Sequence, residues 1–581
     1  MSENVKVVFG LIGGLALFLY GMNSMSDALQ KAAGERMKKI LGFLTKNPLM
    51  GALAGALVTA VLQSSSATTV MVIGFVSAGL MSLPQAISVI FGANIGTTMT
   101  AQLMAFKISN YIYPIIFIGF ILNFVSKKEK FKNIGMVIFS FGLLFEGIEI
   151  MGDVMKPLAS SAVFIDLMGK VSSVPILGVL LGAVMTLVVQ SSSATIAVLQ
   201  NFASQAGPDG VTSVIGLTGA IPILLGDNIG TTITALLASI GQSKNAKRTA
   251  IAHSIFNISG TCVFIFIIPW FAKFVEFISP KGNEIDVISR QIANAHTTFN
   301  VVCTLVWLPL IPLMVKIVTS IIRGEDKTKQ AIEPQYLDMN VIEQPTAAMV
   351  LVSKELNRLG DLASNLFDGL RQSIIMDVQS EEYLKFKENL NVIHHLQDHI
   401  TEYITHLFSS GNLTEQQSEQ TAGLLYVNNS IQRVAERCED IDQICEKIRN
   451  NGKTLTSEAT NEMIDFVDIV QVLLDHAMEA VRQGDHLVAE TVFKDKKKMQ
   501  KVEKQYNKAH LTRVKNEQCD ASLTRNFSGM IYNFDRMADN CVGIAEEACD
   551  NVAFVSIGED TDQTSHLGGQ DNPSLITRGA L

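Results

Sequence analysis

Two short polar phrases each occur twice in this chain, at spacings that suggest a duplicated binding site. The phrase Gln-Ser-Ser-Ser-Ala-Thr occurs twice within strongly apolar segments, and each copy is followed by the phrase Asn-Ile-Gly-Thr-Thr. Hydroxyl groups inside an apolar segment are costly unless they face a cavity or a ligand. We therefore predict a binding site formed by the polar members of these phrases and one adjoining aspartate: Gln63, Ser64, Ser65, Ser66, Thr68, Asn94, Thr97, Thr98, Gln190, Ser191, Ser192, Ser193, Thr195, Asp227, Asn228, Thr231 and Thr232.

The side chains of these phrases could bind a small oxyanion together with a hard cation. Serine and threonine hydroxyls can donate to phosphate-like oxygens, and a helix N-terminus adds N–H donors and a favourable dipole. Sodium is suited by hydroxyl oxygens, by the side-chain amide oxygens of Gln and Asn, and by carbonyl oxygens of unwound backbone. The glycines of the second phrase permit a break in the helix, which would free such carbonyls. Neither phrase contains Lys or Arg, so dipoles and bound cations would have to balance the charge of an anion. This is a physical reason to predict coupling to sodium.

Two alternatives to this interpretation stay open on the residues alone. Asp227 replaces Ala93 at the matched position, and its carboxylate fits either a sodium ligand or a hydrated group at the edge of a span. For the whole set, the simpler alternative is that serine and threonine merely permit close helix packing and bond to backbone carbonyls. Two matched copies of two different phrases favour the binding site.

The apolar segments that carry these phrases form an internal repeat. Residues 47–76 align with residues 174–203 at an offset of 127, and the second phrases align at an offset of 134. As a helix, the 15 residues Pro48–Leu62 would extend about 22 Å, which is shorter than the roughly 30 Å membrane core. We therefore predict one re-entrant hairpin in each copy, with the serine triplet at its tip and a new helix from Ala67 or Ala194.

Loop charges predict that the two copies have opposite orientations in the membrane. The loop at 31–46 of the first copy has five basic residues, whereas its counterpart in the second copy has only Lys156 and Lys170. The loop around Lys107 shows the reverse, since its counterpart at 244–248 carries three basic residues. Basic loops favour the cytoplasmic side. The repeats are thus predicted to be inverted, with the C-terminal half in the cytoplasm.

Composition separates a membrane half from a soluble half. The 581 residues are 48% hydrophobic and 17% charged, and the charged residues are concentrated after about residue 323. The net charge of −9 argues against a nucleic-acid partner, and the seven cysteines have the spacing of free, reduced thiols. We predict an all-α polytopic membrane protein with a retained first span at 6–28. Its predicted parts are a membrane domain at 1–325 (repeat one at 6–126, repeat two at 133–270, closing helix at 290–316), a linker at 326–345, a six-helix bundle at 346–555 and a disordered tail at 556–581. The bundle is predicted to break near Asn451-Gly452 and near Gln483-Gly484-Asp485.

On its paired QSSS phrases, the stretch of about residues 5–320 resembles the type II sodium/phosphate cotransporter family, which carries such signatures in inverted repeats. Both copies match without substitution in the serine triplet. The resemblance implies sodium-driven uptake of inorganic phosphate by alternating access, with sodium as the co-substrate, in the cell inner membrane. It also implies a shared phosphate and sodium site that is lined by Gln63, Ser64, Ser65, Ser66, Gln190, Ser191, Ser192 and Ser193.

The soluble half contains three related phrases, beginning at Asn357, Glu436 and Asp535. Each places a polar or acidic residue four positions before an aspartate, on one face of a helix. Such carboxylates could bind magnesium, manganese or iron, although a solvated face with polar pairs is a common alternative. Together with the six-helix layout, the phrases resemble a PhoU domain, whose family has paired three-helix bundles with metal-cluster motifs. The resemblance implies a regulatory role and a divalent or iron site at Asp361, Glu436, Asp440, Asp535 and Asp539, although Asn357 replaces an expected acid.

The leading hypothesis is a secondary transporter, and the alternative is a membrane phosphate sensor that signals through the bundle with little transport. A serine hydrolase would need a nucleophile elbow with a His and Asp partner, which the serine phrases do not supply, so we predict no enzyme. The expected partners are phosphate, sodium and the lipid bilayer. The bundle could also mediate a homodimer or bind a regulatory protein. A smaller echo, Ala-His-x-x-Phe-Asn around His253 and His296, is interpreted as packing or interfacial histidines.

Overall fold

The computed structural model of this protein describes eight stretches of the chain: residues 3–33, 47–106, 108–159, 169–171, 173–207, 209–324, 332–550 and 552–555. The chain divides into two compact units, Met1–Asp326 and Lys327–Leu581. Within the described stretches the regular structure is helical, with one isolated antiparallel bridge between Ala206 and Ser213. The all-α prediction is confirmed.

The front unit consists of apolar helices, several of them long enough to cross a membrane. Three stretches, Val5–Ala32, Glu129–Lys156 and Gly216–Ala238, have the length and composition of a span, and three bent helix pairs would raise that number to six. The predicted first span lies within the first helix, and the polytopic membrane fold is confirmed. In chain order the helices are α1 (Glu3–Ala33), α2 (Pro48–Leu62), α3 (Ser65–Ser77), α4 (Leu83–Met104), α5 (Ile112–Val125), α6 (Glu129–Ala159), α7 (Pro175–Val189), α8 (Ser192–Ala203), α9 (Gly216–Gly230), α10 (Thr232–Ala238), α11 (Lys244–Phe264), α12 (Ile268–Ile278), α13 (Glu284–Trp307) and α14 (Ile311–Ile321).

Helices α2 and α3 form the first predicted hairpin, and α7 and α8 form the second. The first arm of each hairpin is 15 residues long, and α2 has the predicted bounds. The second arms begin at Ser65 and Ser192, two residues earlier than predicted. The reason is that Ser64 and Ser191 act as N-caps, so the later serines of each triplet enter the first turn of the helix.

The glycines that lie two residues before each copy of the second phrase allow neighbouring helices to pack in backbone contact. A Cβ on Gly92 of α4 would overlap the carbonyl oxygen of Ala52 in α2, and a Cβ on Gly226 of α9 would overlap that of Val179 in α7. Such close approach of small residues is a common mode of helix packing in membranes. The break that the glycines of the second phrase permit does not occur in the first copy, where α4 continues through the phrase, and occurs in the second copy at Thr231.

The apolar helices that close the membrane unit are sharply bent. Helix α11 turns by 95° into α12, and α13 turns by 85° into α14. Pro269 and Pro312 lie in the first turn of each new helix, where the missing N–H is tolerated but a straight continuation from the preceding helix is not. The closing helix that was expected at 290–316 is in the structure a bent pair.

The back unit is a helical bundle whose breaks fall where glycines allow a left-handed turn. Gly452 and Gly484 have φ values of 65° and 63°, at the two breaks that the sequence predicts. The described residues of this unit contain seven α-helices rather than six, because the first is interrupted at Asn365. They are α15 (Pro345–Ser364), α16 (Leu366–Ile374), α17 (Glu381–Ser409), α18 (Glu415–Asn450), α19 (Ser457–Gln483), α20 (His486–Lys515) and α21 (Thr524–Cys549).

Three predicted features fall wholly or partly outside the described residues. These are most of the basic loop before the first hairpin, the first part of the 326–345 linker, and the tail at 556–581 that was predicted to be disordered.

Candidate functional site

Each serine triplet lies at the start of a helix, directly after a residue in the left-handed region. Gln63 and Gln190 have φ values of 50° and 57°, which side chains other than glycine seldom adopt. Ser64 Oγ and Ser191 Oγ then each accept a hydrogen bond from the backbone N–H three residues ahead, at 3.1 and 3.2 Å. The other N–H groups of these first turns have no partner within their helix. Strained turns at equivalent positions of both repeats are typical of functional sites.

The two hairpin tips differ in how far they are shielded. Gln63 is buried, with 7% of its surface exposed, and its Oε1 accepts from Thr100 Oγ1 at 2.9 Å. Gln190, at the same position of the second tip, is exposed. Ser65 and Ser193 are buried, and the remaining serines of both triplets are half-buried. The second tip is therefore the more accessible of the two.

A buried threonine pair joins the two arms of each hairpin. Thr59 and Thr68 Oγ1 atoms are 2.9 Å apart, and those of Thr186 and Thr195 are 3.1 Å apart. In the second repeat only, Thr186 also donates to Asp227 Oδ1 at 2.6 Å. Asp227 is 1% exposed, and its other oxygen has no hydrogen-bond partner among the described residues. It is therefore not a hydrated group at the edge of a span, and its role as a sodium ligand stays a prediction.

The threonines of the second phrase present acceptors rather than donors. Thr97, Thr98, Thr231 and Thr232 each donate their hydroxyl proton to the backbone carbonyl three or four residues earlier, at 2.8 to 3.0 Å. A hydroxyl whose proton is committed in this way has only its lone pairs left for a ligand. This arrangement suits a cation better than an anion. Hydrogen bonds from these hydroxyls to backbone carbonyls are also what the alternative predicts in which serine and threonine merely permit close helix packing.

The asparagines of the second phrase are engaged by the Ala-His-x-x-Phe-Asn echo. Asn94 Oδ1 lies 3.1 Å from His253 Nε2, and Asn228 Oδ1 accepts from Asn300 Nδ2 at 3.3 Å. His253 and His296 are almost fully buried, so they are packing rather than interfacial residues. The contacts of His253 and Asn300 with the candidate site were not predicted, although the echo itself is visible in the sequence. The two asparagine oxygens are thus less available to sodium than we expected.

One side chain of the first tip contacts the second repeat. Ser66 Oγ lies 3.2 Å from Oγ1 of Thr234, which follows the second polar phrase. Thr234 and Thr100 hold matched positions, and both touch the first serine triplet or its glutamine. Sequence reasoning missed both threonines. The available signal was a third threonine, which follows Asn-Ile-Gly-Thr-Thr after one intervening residue in each copy.

In the back unit, basic side chains neutralise the predicted metal-binding acids. Lys496 Nζ, which is nearly buried, lies 2.5 Å from Asp535 Oδ1 and 2.8 Å from Asp539 Oδ1. Arg437 Nη1 lies 2.7 Å from Asp440 Oδ2. A cation that already occupies the space between two carboxylates competes with any metal there.

The first acidic phrase follows the same pattern. Arg482 donates to Asn357 Oδ1 at 2.6 Å and also to the carboxylate of Asp361, while Glu436 of the second phrase is half-buried. Among the described residues, no group of three or more His, Cys, Asp or Glu side chains is arranged to hold a metal ion. The donor set in this structure therefore does not fit the divalent or iron site.

Comparison with known proteins matches both halves of the chain to families. The Na+/Pi-cotransporter family model matches twice, over residues 17–153 and 147–278, and the PhoU domain model matches residues 463–548. The double match confirms the internal repeat. No solved structure shows a significant match.

Similar proteins extend over either part or most of the chain. "Uncharacterized protein YqeW" of Bacillus subtilis is 34% identical over 266 residues, which cover 46% of this chain and 84% of the relative. "Putative inorganic phosphate export protein YjbB" of Salmonella typhimurium is 23% identical over 514 residues, or 87% and 90% of the two chains. "Sodium-dependent phosphate transport protein 2B" of Homo sapiens is 37% identical over 97 residues, or 16% and 14%. The chain belongs to the Na+/Pi-cotransporter family and carries a PhoU domain in its C-terminal half.

Proposed function

We propose that this protein carries inorganic phosphate across the membrane together with sodium, by alternating access to a site shared by the two hairpins. The observation that carries the proposal is the pair of serine-capped helix starts at α3 and α8, each set in largely buried surroundings. N-terminal N–H groups and the helix dipole favour an anion, and the serine hydroxyls add donors. The contact between Ser66 and Thr234 supports a site to which both repeats contribute.

Sodium coupling is supported by the distribution of charge around these helix starts. The buried carboxylate of Asp227 contacts a neutral hydroxyl, and a carboxylate in low dielectric is stabilised by a nearby cation. The four committed threonine hydroxyls of the second phrase offer further oxygen ligands. A sodium ion bound here would offset the charge of Asp227 and that of phosphate, for which the two polar phrases supply no Lys or Arg.

We further propose inverted repeats in the inner membrane, with the bundle in the cytoplasm, and an inward direction of transport. An inward sodium gradient would drive phosphate into the cell through a symporter. The opposite direction is the second candidate, because the Salmonella relative that matches over 90% of its length is named for phosphate export. Phosphate flux measured under sodium gradients of either sign distinguishes a reversible symporter from a sodium-independent exporter.

The test is phosphate flux into proteoliposomes that contain the purified full chain, with and without a sodium gradient. We expect sodium-dependent uptake, and near abolition of it by Ser65→Ala or Ser192→Ala in correctly inserted protein. Binding of phosphate with no flux would favour the membrane sensor instead. Hydrolysis of a model ester that depends on Ser65 would favour an enzyme.

For the bundle, we propose regulation of transport rather than participation in it. Deletion of residues 340–581 is then expected to leave part of the transport activity. Complete loss of flux in a stably inserted truncation would contradict this division of labour.

A further inference from the structure

We propose that the C-terminal end of α8 opens into one aqueous mouth of the transport path, with Gln200 as the gate at its floor, and that the matching end of α3 is a second mouth, which is closed in this structure. The inference rests on the proposed function, because it assigns the routes by which ligands reach the serine-capped site.

A cavity of about 300 Å³ lies at the end of α8 and is lined by residues of α4, α6 and α8. Ser204 and Gln205 contribute from the turn directly after α8, and Ser109 contributes from the turn after α4. Asp153 and Lys156 also line it, and their side chains are 66% and 68% exposed. Charged, exposed side chains do not lie against hydrocarbon, so this end of the cavity meets water.

Gln200 closes the inner side of the cavity by joining three helices. Its Nε2 donates to Ala101 O of α4 at 3.1 Å and to Ser289 O of α13 at 2.9 Å. The two carbonyl acceptors fix the orientation of the amide, and the residue is 3% exposed. Gln200 lies eight residues after Ser192, which is about 12 Å along the helix. Helix α8 thus leads from the cavity, past this gate, to the serine cap.

The internal repeat provides a second set of residues at the same positions. The offset of 127 places Ile73 opposite Gln200, and the offset of 134 places Ala235 opposite Ala101. The Ala-His-x-x-Phe-Asn echo, at an offset of 43, places Ala246 opposite Ser289. Ile73, Ala235 and Ala246 pack together in one buried apolar cluster. Three independent offsets therefore place the contacts of Gln200, the polar gate, opposite the cluster of Ile73, Ala235 and Ala246, the apolar gate.

Among the described residues, side-chain contacts occupy the region beyond the apolar gate, whereas its counterpart has a cavity. Ser77, which matches Ser204, donates to Gln242 Oε1 at 2.6 Å and accepts from Ser243 N at 3.3 Å. Ser77 and Ser204 are both half-buried, so their difference lies in what they contact rather than in simple depth. When a gate opens, an amide can exchange its carbonyl partners for water, whereas an apolar cluster cannot. The Gln200 mouth is thus the one that admits water more readily.

The first experiment compares two cysteine variants of the full chain, Ser204→Cys and Ser77→Cys, in detergent-free proteoliposomes opened to reagent on both sides. A membrane-impermeant thiosulfonate is the probe, and the unsubstituted chain gives the background from native thiols such as the exposed Cys262. We expect Ser204→Cys to react at least tenfold faster than Ser77→Cys. Equal rates, or a faster Ser77→Cys, would overturn the assignment of the open mouth.

The second experiment tests the gate itself with a thiol at the start of α8, in Ser193→Cys. Gln200→Leu removes both donated hydrogen bonds at nearly constant volume, and Ile73→Leu is the matched change at the apolar gate. We expect Gln200→Leu to slow labelling of Ser193→Cys about tenfold or more, because the apolar side chain has no hydrogen bonds to exchange for water, and Ile73→Leu to leave the rate unchanged. An unchanged rate in Gln200→Leu would refute the gate. Should that variant fail to assemble, the first experiment decides, because it leaves Gln200 intact.

The two experiments separate failure of this inference from failure of the proposed function. Sodium-dependent phosphate flux with no difference between the two cysteine variants would refute the mouths while supporting transport. A clear difference in labelling without any phosphate flux would support the mouths and refute transport of phosphate.

Discussion

The buried carboxylate of Asp227 allows the proposed sodium coupling to be tested with a single substitution. Asp227→Asn removes the negative charge but keeps the size of the side chain. It also keeps an oxygen that can accept the hydrogen bond from Thr186 Oγ1, which lies 2.6 Å from Asp227 Oδ1. The residue is 1% exposed, so water cannot replace the lost charge for a bound cation. We expect a protein that folds normally and requires more sodium.

The expected size follows from Coulomb's law. A unit charge pair about 4 Å apart interacts by about 4 kcal/mol at an effective dielectric constant of about 20. Desolvation of the two ions offsets a substantial part of that energy. With about half of it surviving, the loss is about 2 kcal/mol, which corresponds to sodium binding that is roughly 30-fold weaker.

The assay is phosphate uptake into proteoliposomes at saturating phosphate, with the sodium concentration for half-maximal uptake as the readout. The internal repeat offers a matched control, because Ala93 is the buried residue at the same position of the first copy. The double variant Ala93→Asp with Asp227→Ala moves the carboxylate to that position, and we expect it to recover part of the sodium affinity. Unchanged sodium dependence in well-folded Asp227→Asn would refute the reasoning.

Three further outcomes follow from the packing and charges of the two units. Gly92→Ala should destabilise the membrane unit by about 1–3 kcal/mol through overpacking, measured as thermal unfolding in detergent, whereas Gly13→Ala, with open space around its Cβ, should not. Lys496→Met should free the two aspartates that it bridges and create manganese binding in a titration that the unsubstituted chain lacks; equal binding by both would contradict the competition. The Asp495 carboxylate, 3.6 Å away, raises the pKa of His476, which lowers the pKa of Asp495 in turn. The stability that protonated His476 contributes to the bundle is present at low pH and is lost as pH rises through the raised pKa of His476. The stability that ionised Asp495 contributes is lost as pH falls through the lowered pKa of Asp495. His476→Gln should therefore cost more bundle stability at pH 5.5 than at pH 9, by less than about 1 kcal/mol because the pair is partly exposed; an equal cost at both values would contradict the pairing.

Much of the fold could be predicted because it depends on local chemistry. Pro48 and the Gln63 turn bound α2, and the glycines at 452 and 484 end helices of the bundle, as the sequence indicates. The start of α3 was predicted two residues late, because a serine can either cap a helix or belong to its first turn, and the choice depends on a single hydrogen bond. The bends after α11 and α13 were missed, although prolines mark both.

The candidate site was predicted in composition but not in its contacts. Repetition in the sequence identified the serine triplets and the polar phrases, and it also held the signal for Thr100 and Thr234, which was overlooked. It did not show that His253 engages Asn94, because that contact joins residues far apart in the chain.

The amino-acid sequence by itself determined that there are two copies, that each carries a short hairpin capped by serine, and that an apolar half precedes a charged one. These properties follow from residue spacing and from the energetic cost of polar groups in hydrocarbon. Only the tertiary structure decided which acids face a basic partner, which glycines face another backbone, and which of the two hairpins has a cavity at its end. The reason is that burial and charge pairing are set by side chains brought from distant segments, and identical phrases in the two repeats acquire different neighbours there.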